Sequence, residues 1–447
     1  MDITLNKKDN TNASIKIILN EADYQPNVEQ KIKEYRKNAN IKGFRPGKVP
    51  ASYIKKLYGK SILVEEINSM LSKSLTDYIK ENDLKILGEP IPNQEDAAKI
   101  DWDNQKDFEF EYTLGLVDEF DIKLDDKFKV EKYVIEVTDK VMKETMDNLT
   151  KQHGDTESVE KSKVEDTLEG KLSTADGEVQ EKVVLPIEDA EKKAQKQFVG
   201  VKKGDEIKFD IEKTFKSAEA KSRLLGQNET DAEAASGEYI LTVSDIKRTK
   251  PAEINQELFD KVFGKDAVKT REEFDKKVKE TIAENYDRET ENLLNRDLVD
   301  SLVEKTKFEL PDEFLKNWLL LSNEGKITQE QIDKEYDLYT KDLRFNLIKN
   351  KIAEANQEDI KVEHTDVMDY TKKMIAEQFG AYGMADQLGE NMDSFAQNYL
   401  QGENGENYRK VYEEMLNKRV LDFIKDKITI KEKKVDLDGF KKAVDKN

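Results

Sequence analysis

Cationic side chains and one phenylalanine are concentrated in residues 41–50, which read IKGFRPGKVP. Residues 31–60 contain ten lysines or arginines and one acid, so this stretch carries +9 in a chain whose formal net charge is −20. Lysine and arginine bind phosphates and displace the counterions that surround a polyanion. The stretch therefore predicts a docking site for a polyanion, and the alternative is a solvated helical hairpin whose lysines serve solubility.

The elements that must present residues 41–50 are two helices. Gly43 and Gly47 relax the backbone, while Pro46 and Pro50 remove amide donors, so no helix continues through this stretch. We expect a helix–helix tip that exposes Phe44 between its flanking cations. The apolar residues that recur at helical spacing on either side are Val28, Ile32, Tyr35 and Ala39 upstream, and Ile54, Leu57, Leu63, Ile67, Leu71 and Leu75 downstream.

The segment GFRPGKVP resembles the ribosome-docking signature of the trigger factor family, bacterial chaperones that meet nascent chains at the ribosomal exit tunnel. The matching residues are Gly43, Phe44, Arg45, Gly47, Lys48 and Pro50. Many family members have a second cation directly after the arginine, where this chain has Pro46, and this departure bears on the affinity for the ribosome. The resemblance implies that the ribosome-binding residues are Gly43, Phe44, Arg45, Pro46, Gly47 and Lys48.

Strand patterns flank the two helices. Residues 1–20 predict a β-hairpin around the turn composition DNTN, and residues 85–87 are a further strand pattern. Residues 108–116 alternate apolar and polar side chains in the clearest period-two run of the chain. Residues 1–117 are therefore predicted to form an α+β domain, a small antiparallel sheet with helices on one face. The same order resembles the ribosome-binding domain of the trigger factor family.

Residues 118–155 predict a linker and residues 156–249 a small β-rich domain. The linker has an extended stretch and then a short helix that begins after Thr138 and ends at His153. Short strand patterns follow at 167–172, 182–185, 207–211 and 239–246. The segment FVGVKKGDEIKF at 198–209 resembles FKBP-type prolyl isomerases, which form the middle domain of the trigger factor family.

The residues that such an isomerase needs are missing at the corresponding positions. Prolyl isomerisation requires a dry aromatic pocket. The FKBP family builds its floor partly from an Ile-Pro-Gly-aromatic segment, where this chain has EKKA at 191–194, and Leu168 stands where an aromatic usually precedes the first hairpin glycine. We expect a degenerate FKBP-like domain without catalytic residues, and the alternative is a middle domain that still isomerises prolyl bonds.

Residues 250–447 predict a helical domain. TREE at 270–273 and TQEQ at 328–331 are capping boxes that begin amphipathic helices, and residues 258–264 resemble the opening of the family's C-terminal domain, whose helical arms enclose a cradle for unfolded chains. Residues 379–388, FGAYGMADQL, combine glycines with apolar side chains that suit promiscuous binding. The predicted client-binding residues are Phe379, Tyr382, Met384 and Leu388, and the alternative is an ordinary loop anchored by buried aromatics.

The composition also limits the kinds of catalytic and metal sites that we expect in this chain. The chain has no cysteine, two histidines far apart in sequence and no glycine-rich phosphate loop, so we expect no catalytic residues, metal site or cofactor. No apolar run approaches the ~18 residues of a membrane helix, and the N-terminus has no secretory pattern. We therefore expect a cytoplasmic protein with neither a membrane nor DNA as a partner.

These observations predict a multidomain α+β protein: an α+β docking domain (1–117), a linker (118–155), an FKBP-like domain (156–249) and an all-α chaperone domain (250–447). The resemblance implies an ATP-independent, ribosome-associated chaperone whose partners are the ribosome and unfolded or nascent polypeptides. The alternatives are an active prolyl isomerase that assists folding and a structural RNA-docking protein that binds no clients.

Overall fold

The computed structural model describes residues 1–39, 41, 42, 44, 48–174, 179–380 and 391–444. The chain divides into two compact units, each assembled from segments that are distant in sequence. The first unit comprises Met1–Lys132 and Leu293–Lys431, and the second comprises Tyr133–Asn292 and Glu432–Asn447.

The N-terminal part is a four-stranded antiparallel sheet with strand order β1-β2-β4-β3. Its central strands pair along their full length, from Asn12 opposite Gly115 to Leu19 opposite Phe108. Alternate residues of the second strand are buried, which confirms the period-two prediction for this sheet. The strands are β1 (Asp2–Lys7), β2 (Asn12–Leu19), β3 (Ile86–Pro92) and β4 (Phe108–Leu116).

Two long helices, α1 (Glu21–Asn38) and α2 (Ala51–Glu81), pack together and share a core with this sheet, and a short helix α3 (Gln94–Ala98) follows β3. The predicted helical pair is confirmed. Two residues of its apolar pattern, Tyr35 and Leu57, are exposed and lie outside that core. The buried side chains of the two helices that form the core are Tyr24, Val28, Ile32, Ile54, Ile62, Ile67, Leu71 and Leu75.

The helix predicted to end at His153 and the strands predicted within residues 156–249 are observed. Thr138 caps the linker helix by accepting a hydrogen bond from the backbone N–H of Val141 at 3.3 Å. The second sheet has the order β6-β10-β7-β8, with β9 also beside β10, and it contains all four predicted strands. The elements are β5 (Lys129–Ile135), α4 (Asp139–Gln152), β6 (Asp155–Ser158), β7 (Thr167–Thr174), β8 (Val179–Pro186), β9 (Glu206–Asp210), α5 (Ile211–Thr214), α6 (Ala218–Leu225), α7 (Glu229–Glu233) and β10 (Glu238–Lys250).

The described residues after β10 form helices and one strand, β11, which pairs with β5. Both predicted capping boxes form, at Thr270 with Glu273 and at Thr328 with Gln331. Among the described residues, none of the helices has the length and apolar character needed to cross a bilayer. The elements are α8 (Gln256–Phe263), α9 (Arg271–Lys305), α10 (Asp312–Ser322), α11 (Gln329–Ala355), α12 (Gln357–Ile360), α13 (His364–Gly380), α14 (Met392–Gln401), α15 (Glu406–Lys427), β11 (Thr429–Val435) and α16 (Leu437–Val444).

Helix α10 packs directly on the N-terminal sheet within the first unit. A Cβ placed on Gly115 of β4 would lie 2.5 Å from the Phe314 ring, and one on Gly88 of β3 would lie 2.8 Å from the Trp318 indole. Leu87 belongs to the same buried cluster as Leu315. The absence of side chains at the two glycines therefore lets α10 approach the sheet backbone.

We predict that Gly115→Ala lowers the free energy of unfolding of the first unit by about 1–3 kcal/mol, because the added methyl group overpacks the contact with Phe314. Gly59→Ala in α2 is the matched control. Its Cβ meets only the flexible Lys55 side chain at 3.2 Å, and removing a helical glycine stabilises a helix by up to about 1 kcal/mol.

Urea unfolding followed by tryptophan fluorescence reports this unit, since both tryptophans, Trp102 and Trp318, lie in it. If the Gly115→Ala protein is as stable as the wild type, α10 does not press on β4 as described.

Candidate functional site

The predicted docking tip lies between the end of α1 and the start of α2. Ala39 ends α1 in extended geometry, and its N–H donates to the Tyr35 carbonyl at 2.8 Å. Pro50 precedes α2 as its N-cap, while Val49 beside it is completely buried. The two helix ends and Val49 therefore anchor the segment that carries the signature. Of the predicted ribosome-binding residues, Phe44 and Lys48 are described, whereas Gly43, Arg45, Pro46 and Gly47 lie outside the described residues.

Phe44 is half-buried and not fully exposed as the sequence suggested. Its ring packs against Tyr53 of α2 with the centroids 5.1 Å apart, and its N–H donates to the Ile41 carbonyl at 3.0 Å. Aromatic pairing of this kind stabilises a ring that would otherwise be solvated. The accessible part of Phe44 and the exposed Lys42 and Lys48 are therefore available to a partner in the described part of the tip.

Most of the described cations around the tip form no ion pair with another described residue. Lys31 is 3.5 Å from Glu66, whose charge raises the pKa of the lysine, and Lys60 is 2.7 Å from Asp103. Unpaired ammonium and guanidinium groups keep their attraction for phosphate. The cations of residues 31–60 that form no ion pair with another described residue are Lys33, Arg36, Lys37, Lys42, Lys48, Lys55 and Lys56.

The aromatic rings of the FKBP-like domain are used for core packing. Phe209 packs edge-on against Phe198 and Phe215, with centroid distances of 5.4 and 5.9 Å, and all three side chains are buried. Tyr239 stacks on Phe209 at 6.3 Å. All four rings therefore pack within or against the hydrophobic core of this domain.

The segment at 191–194 forms a turn that leads into a 3₁₀ helix at Gln195–Gln197. Glu191, Lys192 and Lys193 are exposed and Ala194 is buried, so three charged side chains occupy the position of the expected apolar floor. A single small apolar side chain does not make a floor.

A buried ion pair holds the frame of this domain. Arg248 of β10 donates to both carboxylate oxygens of Asp166 at 2.7 Å, and the Asp166 side chain is fully buried. Burial alone would raise the pKa of Asp166, but the hydrogen bonds from Arg248 and from the Lys163 N–H outweigh it and lower the pKa. With both partners satisfied, the pair has the character of a structural contact and not of an acid or base.

The predicted client-binding residues lie where α13 ends. Phe379 is partly buried against Ile375 and Ala396, and Tyr382, Met384 and Leu388 lie outside the described residues. A cavity of about 560 Å³ lies between α13, α14 and the start of α15. The His364 ring stacks on Tyr408 at its wall, with the centroids 5.6 Å apart. The residues that line the cavity are His364, Met368, Gln397, Leu400, Gln401, Gly405 and Tyr408.

Sequence reasoning did not find this cavity, because it did not predict α14, which supplies one wall. The only sequence signal was the i, i+4 spacing of His364 and Met368. A concave, largely apolar surface of this size accommodates a bulky apolar side chain.

Three family models match consecutive parts of the chain. Residues 1–149 match "Bacterial trigger factor protein", residues 156–251 match "Probable trigger factor, FKBP-like domain", and residues 290–444 match "Probable trigger factor, C-terminal domain". The three matches follow the same order as the elements described above.

The chain also aligns with relatives named "Trigger factor" over most of the length of each relative. The protein from Francisella tularensis subsp. novicida (strain U112) is 26% identical over 444 residues, which cover 96% of this chain and 93% of the relative. The protein from Francisella tularensis subsp. holarctica (strain LVS) is 28% identical over 385 residues, covering 83% and 80%. The protein from Agrobacterium fabrum is 26% identical over 376 residues, covering 77% and 73%.

Proposed function

Because the chain belongs to the trigger factor family of ribosome-associated chaperones, we propose that it docks near the ribosomal exit tunnel through residues 43–48 and holds nascent chains on its C-terminal helices. It does so in the cytoplasm and without ATP. The observation that supports the docking step most directly is that seven described cations of residues 31–60, the stretch that contains the half-buried Phe44, form no ion pair with another described residue.

Docking at this tip combines charge and shape. The cations attract the phosphates of ribosomal RNA from a distance, and such contacts weaken steeply as salt displaces them. Phe44, held in place by Tyr53, adds a short-range contact that fixes the position of the tip. Lys48 follows Phe44 closely in sequence and is exposed, so both types of contact are available at one point of the molecule.

We predict that Phe44→Ala, Arg45→Ala and Lys48→Ala together abolish cosedimentation with ribosomes at near-physiological salt. Loss of two phosphate contacts and of an aromatic anchor raises Kd by more than about tenfold. Wild-type binding itself falls steeply as salt is raised. Because Phe44 is half-buried, circular dichroism must show that the variant is folded.

The matched control is Val199→Ala with Lys202→Ala and Lys203→Ala, which removes one exposed apolar side chain and two exposed cations from the FKBP-like domain. It should pellet with ribosomes like the wild type. Unchanged cosedimentation of the tip variant would show that residues 43–48 are not the docking site.

Client binding is proposed for the segment 379–388 and the helices beside it. An unfolded chain presents scattered apolar side chains, so its receptor needs several weak apolar contacts on a polar frame. Phe379 and the cavity beside Met368 lie on elements that flank this segment, and they supply such contacts. Residues 250–447 are otherwise charged amphipathic helices, which keep the receptor soluble.

We predict that changing Phe379, Tyr382, Met384 and Leu388 together to serine weakens suppression of client aggregation partially, with helicity retained. Partial loss is expected because the remaining apolar contacts persist. The matched control changes Gln378, Asp386, Gln387 and Glu390 to serine in the same stretch and should behave as the wild type. If the first variant unfolds, these residues are core, as an ordinary anchored loop would require.

The FKBP-like domain is proposed to act as a scaffold without isomerase activity. The full chain should accelerate prolyl isomerisation of a short peptide little or not at all, because the aromatic rings are buried and charged side chains stand at 191–193. An active FKBP assayed in parallel is the positive control. A rate comparable with that enzyme would establish the alternative, an isomerase that assists folding.

The remaining alternative is a structural RNA-docking protein that binds no clients. Suppression of client aggregation distinguishes this alternative from the proposal. An RNA-docking protein without client binding would pellet with ribosomes but leave the aggregation of an unfolded client unchanged. The cavity and the apolar side chains around α13 and α14 favour the chaperone.

A further inference from the structure

A second aromatic pair lies on the helices behind the tip. Tyr35 of α1 and Tyr58 of α2 have ring centroids 6.1 Å apart and planes inclined by 44°, and their exposed fractions are 39% and 41%. Tyr53, which packs on Phe44, lies five residues before Tyr58, or roughly 7.5 Å along the helix axis. The hairpin therefore presents two successive aromatic pairs, the first of which includes Phe44 of the signature.

Exposed aromatic side chains are concentrated on this hairpin. Within the part of the chain that the structure describes, five tyrosine or phenylalanine side chains count as exposed, and three of them are Tyr35, Tyr53 and Tyr58. Leu57, the residue before Tyr58, is 51% exposed. Single apolar residues on a surface are ordinary, but a group on one element marks an interaction surface.

Cations adjoin both rings of the second pair. Arg36 and Lys37 follow Tyr35, and Lys55 and Lys56 precede Tyr58 by one turn or less. None of these four forms an ion pair with another described residue. Aromatic faces next to unpaired cations are the combination that binds single-stranded nucleic acid, because bases stack on the rings while the cations follow the phosphates.

Charge favours single-stranded nucleic acid over two other partners for this face, a second copy of the chain and an apolar protein surface. A second copy of the chain that docked through the same face would place two stretches of +9 against each other, which is repulsive. An apolar protein surface would have to desolvate four cations without compensation. An unpaired polyanion with flat bases satisfies both the rings and the cations.

We propose that the Tyr35–Tyr58 face binds unpaired RNA by base stacking, and that it extends the ribosome contact from the tip along the hairpin. The partner is a single-stranded segment of ribosomal RNA. This inference rests on the proposed ribosome docking, but it concerns a separate group of residues and can fail separately.

The test measures binding of the full chain to a fluorescein-labelled single-stranded oligoribonucleotide by fluorescence anisotropy. The paired substitution Tyr35→Leu with Tyr58→Leu keeps apolar volume but removes both rings, and should raise Kd about tenfold or more. Tyr35→Phe with Tyr58→Phe keeps the rings and should bind within about twofold of the wild type. Tyr399→Leu, at a tyrosine that is also 41% exposed, is the matched control and should bind normally.

Unchanged RNA affinity of the leucine variant would overturn the inference. It would also be overturned if that variant lost ribosome cosedimentation while keeping its RNA affinity, since the partner would then be a ribosomal protein. A wild-type dimer that the leucine substitutions dissociate in sedimentation velocity would instead identify a second copy. The tip variant tests the docking proposal independently, because it leaves Tyr35 and Tyr58 in place.

Discussion

The packing of α10 on two glycines of the N-terminal sheet is the contact on which the first unit depends. Phe314 lies against Gly115 and Trp318 against Gly88, at distances that no side chain on the strand would allow. The hairpin of α1 and α2 shares its core with the same sheet. The docking end and the helices proposed to hold clients are thereby parts of one unit, although they lie near opposite ends of the sequence. If both proposals hold, packing within this one unit links the docking end to the client-binding helices.

The charge of the chain is distributed unevenly between the hairpin of α1 and α2 and the rest of the protein. Residues 31–60 carry +9 while the whole chain carries −20, so the rest of the chain taken together carries −29. A polyanion attracts the hairpin and repels the remainder, which orients the protein before contact. The aromatic rings of the FKBP-like domain are committed to its core, and its Asp166 and Arg248 pair with each other. Its contribution is therefore proposed to be structural.

Features set by local sequence were predicted well, and features set by tertiary contacts were not. The strands at β2 and β4 and the capping boxes at Thr270 and Thr328 follow from alternation and from spacing of three residues, which the chain shows directly. The short helices α5, α6, α7, α14 and α16 depend on packing for their stability and have too few turns for a clear pattern. The half-burial of Phe44 requires Tyr53 across the tip, and the Tyr35–Tyr58 pair joins two helices. No spacing within one helix reveals either contact.

Pro46 stands where many family members have a cation. The effect of this missing charge on the affinity for a polyanion depends on how many other cations the hairpin carries. Electrostatic attraction to a polyanion is a sum over many phosphate contacts, and each contact contributes a similar increment to the salt dependence of binding. Seven described cations of residues 31–60 form no ion pair with another described residue, so one missing charge at the tip removes a small part of the total. Position along the ribosome then depends on the directional contacts, which are the aromatic rings. A tip with fewer charges and a longer aromatic surface would keep its affinity and draw more of its specificity from stacking.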